Sequence, residues 1–130
     1  MVKIVCIFTD QLFAFHYKKE TDNELRRLLK LWHNTEYLYQ FVTKHIADVP
    51  NKVTVQTLIN QLIDNANDID DILNEISTDS NRNMEEFFKP LYNLEFHIVE
   101  LSKQKGRKNY LRLYAIKIDK NCFVITGGAI

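Results

Sequence analysis

Apolar residues change their spacing several times along this chain, and each change marks an element. Lys3–Phe8 is a run of β-branched and aromatic residues, which predicts a strand. "QLFAFHYKK" extends that strand beyond a kink near Asp10. In "TDNELRRLLKLW", Leu25, Leu28, Leu29 and Trp32 fall on one side of a helix that Thr21 or Asp22 can cap. Asn34 or Thr35 can cap a second helix, whose apolar side is Leu38, Phe41, Val42 and Ile46. Pro50 then disfavours helix at Val49 and breaks the pattern. The longest helix opens at Thr54 and runs over 54–76, with Leu58, Leu62, Ala66, Ile69, Leu73 and Ile76 at steps of three and four. Its other stripe carries Asp64, Asp68, Asp71 and Glu75 and reads as solvated. The pattern is too short for a coiled coil, so this helix faces a core.

After the polar loop "STDSNRN", "MEEFFKPLY" reads as a short helix with Met84, Phe87, Phe88 and Leu91 inward. "NLEFHIVEL" alternates Leu94, Phe96 and Ile98 against Glu95, His97 and Val99, which is a strand with one buried face. Two further strands close the chain in "YLRLYAIKIDKNCFVITGGAI", and Gly127–Gly128 mark a turn or bulge at the end of the last one. The expected fold is a single α+β domain over 1–130. A small antiparallel sheet is built from the N-terminal strand and a C-terminal three-strand meander, and the helices pack on one face.

Composition adds little until charge is mapped by position. Apolar residues are 45% of the chain, enough for a core, and the formal net charge is zero. The stretch 101–120 holds seven Lys/Arg against Asp119, whereas 60–86 holds eight acids against Arg82. An acidic helical middle thus precedes a basic C-terminal third. Cys6 and Cys122 both fall in strands and read as buried free thiols of a reducing compartment, with a disulfide between first and last strands as the alternative. No C-x-x-C or H-E-x-x-H is present, so neither a metal nor another cofactor is expected. The apolar run at the start is too short to span a membrane and lacks a signal-peptide cleavage region, which points to the cytoplasm.

The final third has a recognisable shape. "FFKPLYNL", "LEFHIVEL", "KQKGRKN", "LRLYAI" and "CFVITGGA" follow one another in the order and spacing of the RelE/ParE-like bacterial toxins, and they resemble the RelE and HigB (phage Gp49-like) branches most. The resemblance covers about 45 residues well and the strand-then-helix opening more loosely. It implies an mRNA endoribonuclease toxin of a type II toxin–antitoxin pair that needs no metal and works on the ribosome or on free mRNA. A cognate antitoxin protein would neutralise it. It also implies that Arg112 is catalytic or binds phosphate. Members of the superfamily are usually smaller, so the helix over 54–76 reads as an elaboration. They also often carry Lys, Arg or Tyr after the last strand, where this sequence reaches Ile130.

Such cleavage needs a base for the ribose 2′-OH, cations for the charge on the phosphate oxygens, and an acid for the leaving 5′-oxygen. Alternation puts Tyr110, Arg112 and Tyr114 on the strand face opposite Leu111, Leu113 and Ala115. Tyr-Arg-Tyr on an open sheet face suits RNA, with aromatics for bases and arginine for phosphate. The bland alternative pairs Arg112 with Glu95 or Glu100. Lys103, Lys105, Arg107 and Lys108 form a polyanion footprint or, more simply, a solubilising loop. His97 is a further base candidate because an ordinary imidazole titrates near about 6.5. The catalytic set is therefore Arg112, Tyr114 and His97, and the RNA-binding set is Lys103, Lys105, Arg107, Lys108 and Tyr110. His16, His33 and His45 lack ligand spacing and read as surface residues. Two other functions fit the same fold: a gyrase-targeting toxin of the ParE type, and a non-catalytic protein-interaction domain.

Overall fold

The computed structural model describes residues 2–50, 52–92, 95–98 and 110–130, with 89–92 and 95–98 described through their backbone alone. Strands β1 (Lys3–Phe8) and β2 (Leu12–His16) are followed by helices α1 (Glu24–Trp32), α2 (Thr35–Lys44) and α3 (Val55–Thr78). Strands β3 (Phe88–Tyr92), β4 (Glu95–Ile98), β5 (Arg112–Asp119) and β6 (Cys122–Ala129) complete the chain. Among the described residues they form one sheet in the order β1-β2-β6-β5-β4-β3, with the helices on one face.

The α+β class, the long central helix and the C-terminal meander are as expected, and four local readings change. First, Asp10 does not kink a continuous strand. Its φ of 62° is left-handed, a conformation an Asx side chain tolerates, and it reverses the chain into a β1–β2 hairpin. Second, the sheet is mixed, because β2 runs parallel to β6. Third, the short helix expected at "MEEFFKPLY" shrinks to a 3-10 turn, Met84–Glu86, and β3 follows it. Pairing with β4 outweighs the helical spacing of the apolar residues. Pro90 is tolerated because β3 is the sheet edge. Fourth, Asn23 rather than Thr21 or Asp22 caps α1, its Oδ1 accepting from the Arg26 backbone N–H at 3.0 Å. Asn34 and Thr54 cap α2 and α3 in the same way.

The core lies between helices and sheet. Leu58, Leu62, Ala66, Ile69, Leu73 and Ile76 of α3 are all buried, as their spacing predicts, against Trp32, Phe87 and Phe123. Asp68 departs from the expected solvated stripe and is 7% exposed. Phe88 stacks on Phe123 at 4.8 Å between centroids and so ties the start of β3 to β6. Both cysteines are free thiols. Cys122 is buried, which pushes its thiol pKa up, but Cys6 on the edge strand β1 is exposed rather than buried. Among the described residues no helix is long and apolar enough to cross a membrane.

Candidate nucleic-acid interface

The two faces of the sheet differ because β5 alternates. Leu111, just before the strand, and Leu113 and Ala115 within it are buried toward the helices. Arg112, Tyr114, Ile116 and Ile118 point to the other face, which carries no helix among the described residues. There Arg112 is exposed, Tyr114 half-buried and Ile118 55% exposed. Among the described residues Arg112 has no ion pair or side-chain hydrogen bond. The side chain of Glu95 and all of Glu100, its proposed partners, lie outside the described set.

Tyr110 does not join this face. It precedes the strand, its backbone N–H donates to Asn65 Oδ1 at 3.0 Å, and its side chain lines a helix-side cleft of ≈ 310 Å³ with Phe41, Leu58, Leu62 and Ile130. Alternation starts only where strand pairing starts, so the expected Tyr-Arg-Tyr row is reduced to Arg112 and Tyr114. His97 stands opposite Tyr114 in the β4–β5 register. Lys103, Lys105, Arg107 and Lys108 lie outside the described residues. His16 Nε2 bonds locally to the Glu20 carbonyl, and His33 bonds to the Leu29 carbonyl and, across to α3, to Asn67 Oδ1. His45 stacks on Phe41 at 4.5 Å.

Next to Tyr114 the structure places a bulge, one of the two readings of Gly127–Gly128. Both glycines are inside β6, and the β5–β6 register slips there: Ala115 pairs Ile125, and Tyr114 pairs Gly127. Thr126 is the extra residue of a bulge. Its carbonyl accepts from the Tyr17 hydroxyl at 2.7 Å, and its Oγ1 lies 3.5 Å from the Tyr114 carbonyl. Burial raises the Tyr17 pKa, helped by the nearby Glu24 carboxylate, so Tyr17 holds its proton and donates it. Gly128 faces the helices, against Leu28 and Trp32. Gly127 must face the other way, and among the described residues nothing lies within 4 Å of where its Cβ would be.

Among the described residues the site therefore offers an unpaired guanidinium, a phenol and a stretch of backbone with no side chain over it, on a face that carries no helix. A guanidinium suits an anion, and a phenol beside open backbone suits a planar group. Among the described residues no group of acidic, histidine or cysteine side chains could hold a metal ion. Compared with models of protein families, with characterised proteins and with solved structures, the chain matches none.

Proposed function

We propose that this chain is an RNA-binding endoribonuclease of the toxin type, acting in the cytoplasm on single-stranded mRNA laid across the open sheet face. The observation that carries the reading is Arg112, a strand arginine that is exposed and unpaired among the described residues, two positions from Tyr114 on the same face. In this reading the ribose 2′-oxygen attacks the adjacent phosphorus. The P–O5′ bond breaks, leaving a 2′,3′-cyclic phosphate and a free 5′-hydroxyl. Arg112 holds the charge on the non-bridging oxygens. His97, opposite Tyr114 in register, takes the 2′-OH proton, and Tyr114 supplies one to the leaving oxygen. Lys103, Lys105, Arg107 and Lys108 add phosphate contacts, and an antitoxin protein covers the face when the activity is silent.

Induced expression of the wild type and Arg112→Ala tests this, with growth followed and mRNA 5′ ends mapped. The reading expects arrest with discrete cleavage in the wild type and neither in the variant. Normal growth with intact mRNA in cells making soluble wild type would sink it.

One observation favours a second reading, a non-catalytic docking domain. The outer face near β1 is apolar: Ile4 is 60% exposed, and Cys6 beside it is exposed too. A protein partner would bury such a surface. Under this reading Ile4→Asp removes partner binding, and Arg112→Ala does not.

A further inference from the structure

Among the described residues nothing lies within 4 Å of where a Cβ on Gly127 would be. Its neighbours on β6 each have a packing job: Val124 and Ile125 are buried, and Gly128 makes room for Leu28 and Trp32. A glycine in a strand interior forfeits packing and costs backbone entropy relative to alanine. At Gly128 the crowding explains that cost. At Gly127 nothing described fills the space, and its φ is not in the left-handed region. Among the described residues nothing opposes a side chain there, and the backbone conformation does not call for glycine.

The surroundings say what the gap could hold. Its floor is the β6 backbone just past the Thr126 bulge, with no side chain on Gly127. One wall is Tyr114, directly opposite in the register. Arg112 is two residues further along the same face, opposite Ala129, another small residue. The floor is fixed in place, because the Tyr17 hydroxyl holds the Thr126 carbonyl next to it. A planar ring fits against the floor and Tyr114, and a phosphate attached to it comes within reach of Arg112.

We infer that Gly127 floors a nucleobase slot, in which one base of a single-stranded RNA lies on the β6 backbone beside Tyr114 while Arg112 holds its phosphate. This rests on the RNA reading above and adds to it the residue that admits the base. A side chain at position 127 occupies the slot without disturbing the core.

The test uses a fluorescein-labelled 2′-O-methyl oligoadenosine of about eight nucleotides, which cannot be cleaved through its 2′ position, and a matched oligomer with abasic residues. Binding of each is measured by anisotropy for wild type, Arg112→Ala, Gly127→Ala and Gly127→Val, and thermal unfolding of each protein is recorded alongside. Gly127→Val is expected to unfold at or above the wild-type temperature and to bind the base-bearing RNA roughly tenfold or more weakly. Gly127→Ala should fall between. The abasic oligomer should bind wild type weakly and be indifferent to position 127. If wild type binds and Arg112→Ala weakens it but Gly127→Val does not, the slot is wrong and the RNA reading stands. If folded wild type binds neither oligomer, the RNA reading fails and the slot fails with it.

Discussion

Gly128 lies against Trp32 so closely that a Cβ on it would come within 3.1 Å of the indole Cη2. The same Cβ would sit 2.7 Å from the Arg112 carbonyl and 3.0 Å from Leu28 Cδ1. The absence of a side chain here lets α1 settle onto β6, and it links the packing of the helix layer to the strand that carries Arg112. A backbone carbonyl cannot swing aside as a side-chain tip can.

Gly128→Ala should therefore destabilise the fold, by about 1–3 kcal/mol as overpacking does. Gly127→Ala, one residue away and facing the other side, should be neutral or stabilising by up to roughly 1 kcal/mol. Denaturant unfolding of the two variants measures both. Equal losses at the two positions would mean that they do not face opposite sides.

Helix α1 begins with a buried charge. Glu24 is 2% exposed, and both of its oxygens accept from Arg27, Oε1 from Nε at 2.6 Å and Oε2 from an Nη at 2.8 Å. The first turn of a helix favours an acid, and the arginine fork satisfies both lone-pair sets. Arg27→Met should cost about 3 kcal/mol, because it strands a carboxylate away from water. Replacing both residues, Glu24→Leu with Arg27→Met, should recover much of that loss. Denaturation midpoints of the single and double variants decide it. A double variant as unstable as Arg27→Met would contradict the desolvation account.

Much of this architecture could be read from spacing. The six apolar positions of α3 point inward as their three-and-four steps require, and the Asn34 and Thr54 caps stand where a short polar side chain precedes an apolar run. Pairings distant in sequence were not legible. Nothing local to Leu12–His16 announces a parallel partner more than a hundred residues away at β6. "FFKPLY" has spacing compatible with either element, and its neighbour β4 decides. Arg112 and Tyr114 could be found by alternation, but Tyr110 could not be excluded from the face, since the point where the strand begins depends on that pairing. Gly127 was visible only as one of two adjacent glycines. That Gly128 is the crowded one is set by Leu28 and Trp32, about a hundred residues upstream.

Helix α3 supplies some of the most deeply buried large side chains among the described residues. Leu62 is 1% exposed, and Ile69 and Leu73 are as deeply buried. Leu62→Ala should cost about 2–5 kcal/mol, since removed methyl groups leave a cavity between helix and sheet. Ile63→Ala, at a half-buried position next to it, should cost clearly less. Comparable small losses at both would show that α3 packs loosely on the rest of the domain.

The 3-10 turn before β3 is tied to the β5–β6 hairpin through one carboxylate. Glu85 Oε1 accepts from Lys117 Nζ, and Oε2 accepts from the Asn121 backbone N–H at 3.1 Å. Asn121, with φ of 57°, is the left-handed residue of that hairpin turn, so the carboxylate braces the turn itself. The Lys117 hydrogen bond, ahead of the Asn121 amide, holds the Glu85 pKa below the ordinary glutamate value. A carboxyl lowered in the folded state contributes stability while pH is above its unfolded pKa, and that contribution is lost as pH falls through the folded value. The wild type should thus be more stable than Glu85→Gln at neutral pH. The two melting temperatures should converge as pH is lowered through the acid range, and Lys117→Met should behave like Glu85→Gln. Melting curves from neutral pH into the acid range read this directly. A constant gap between wild type and Glu85→Gln at every pH would show that the ionised carboxylate is not what braces the hairpin.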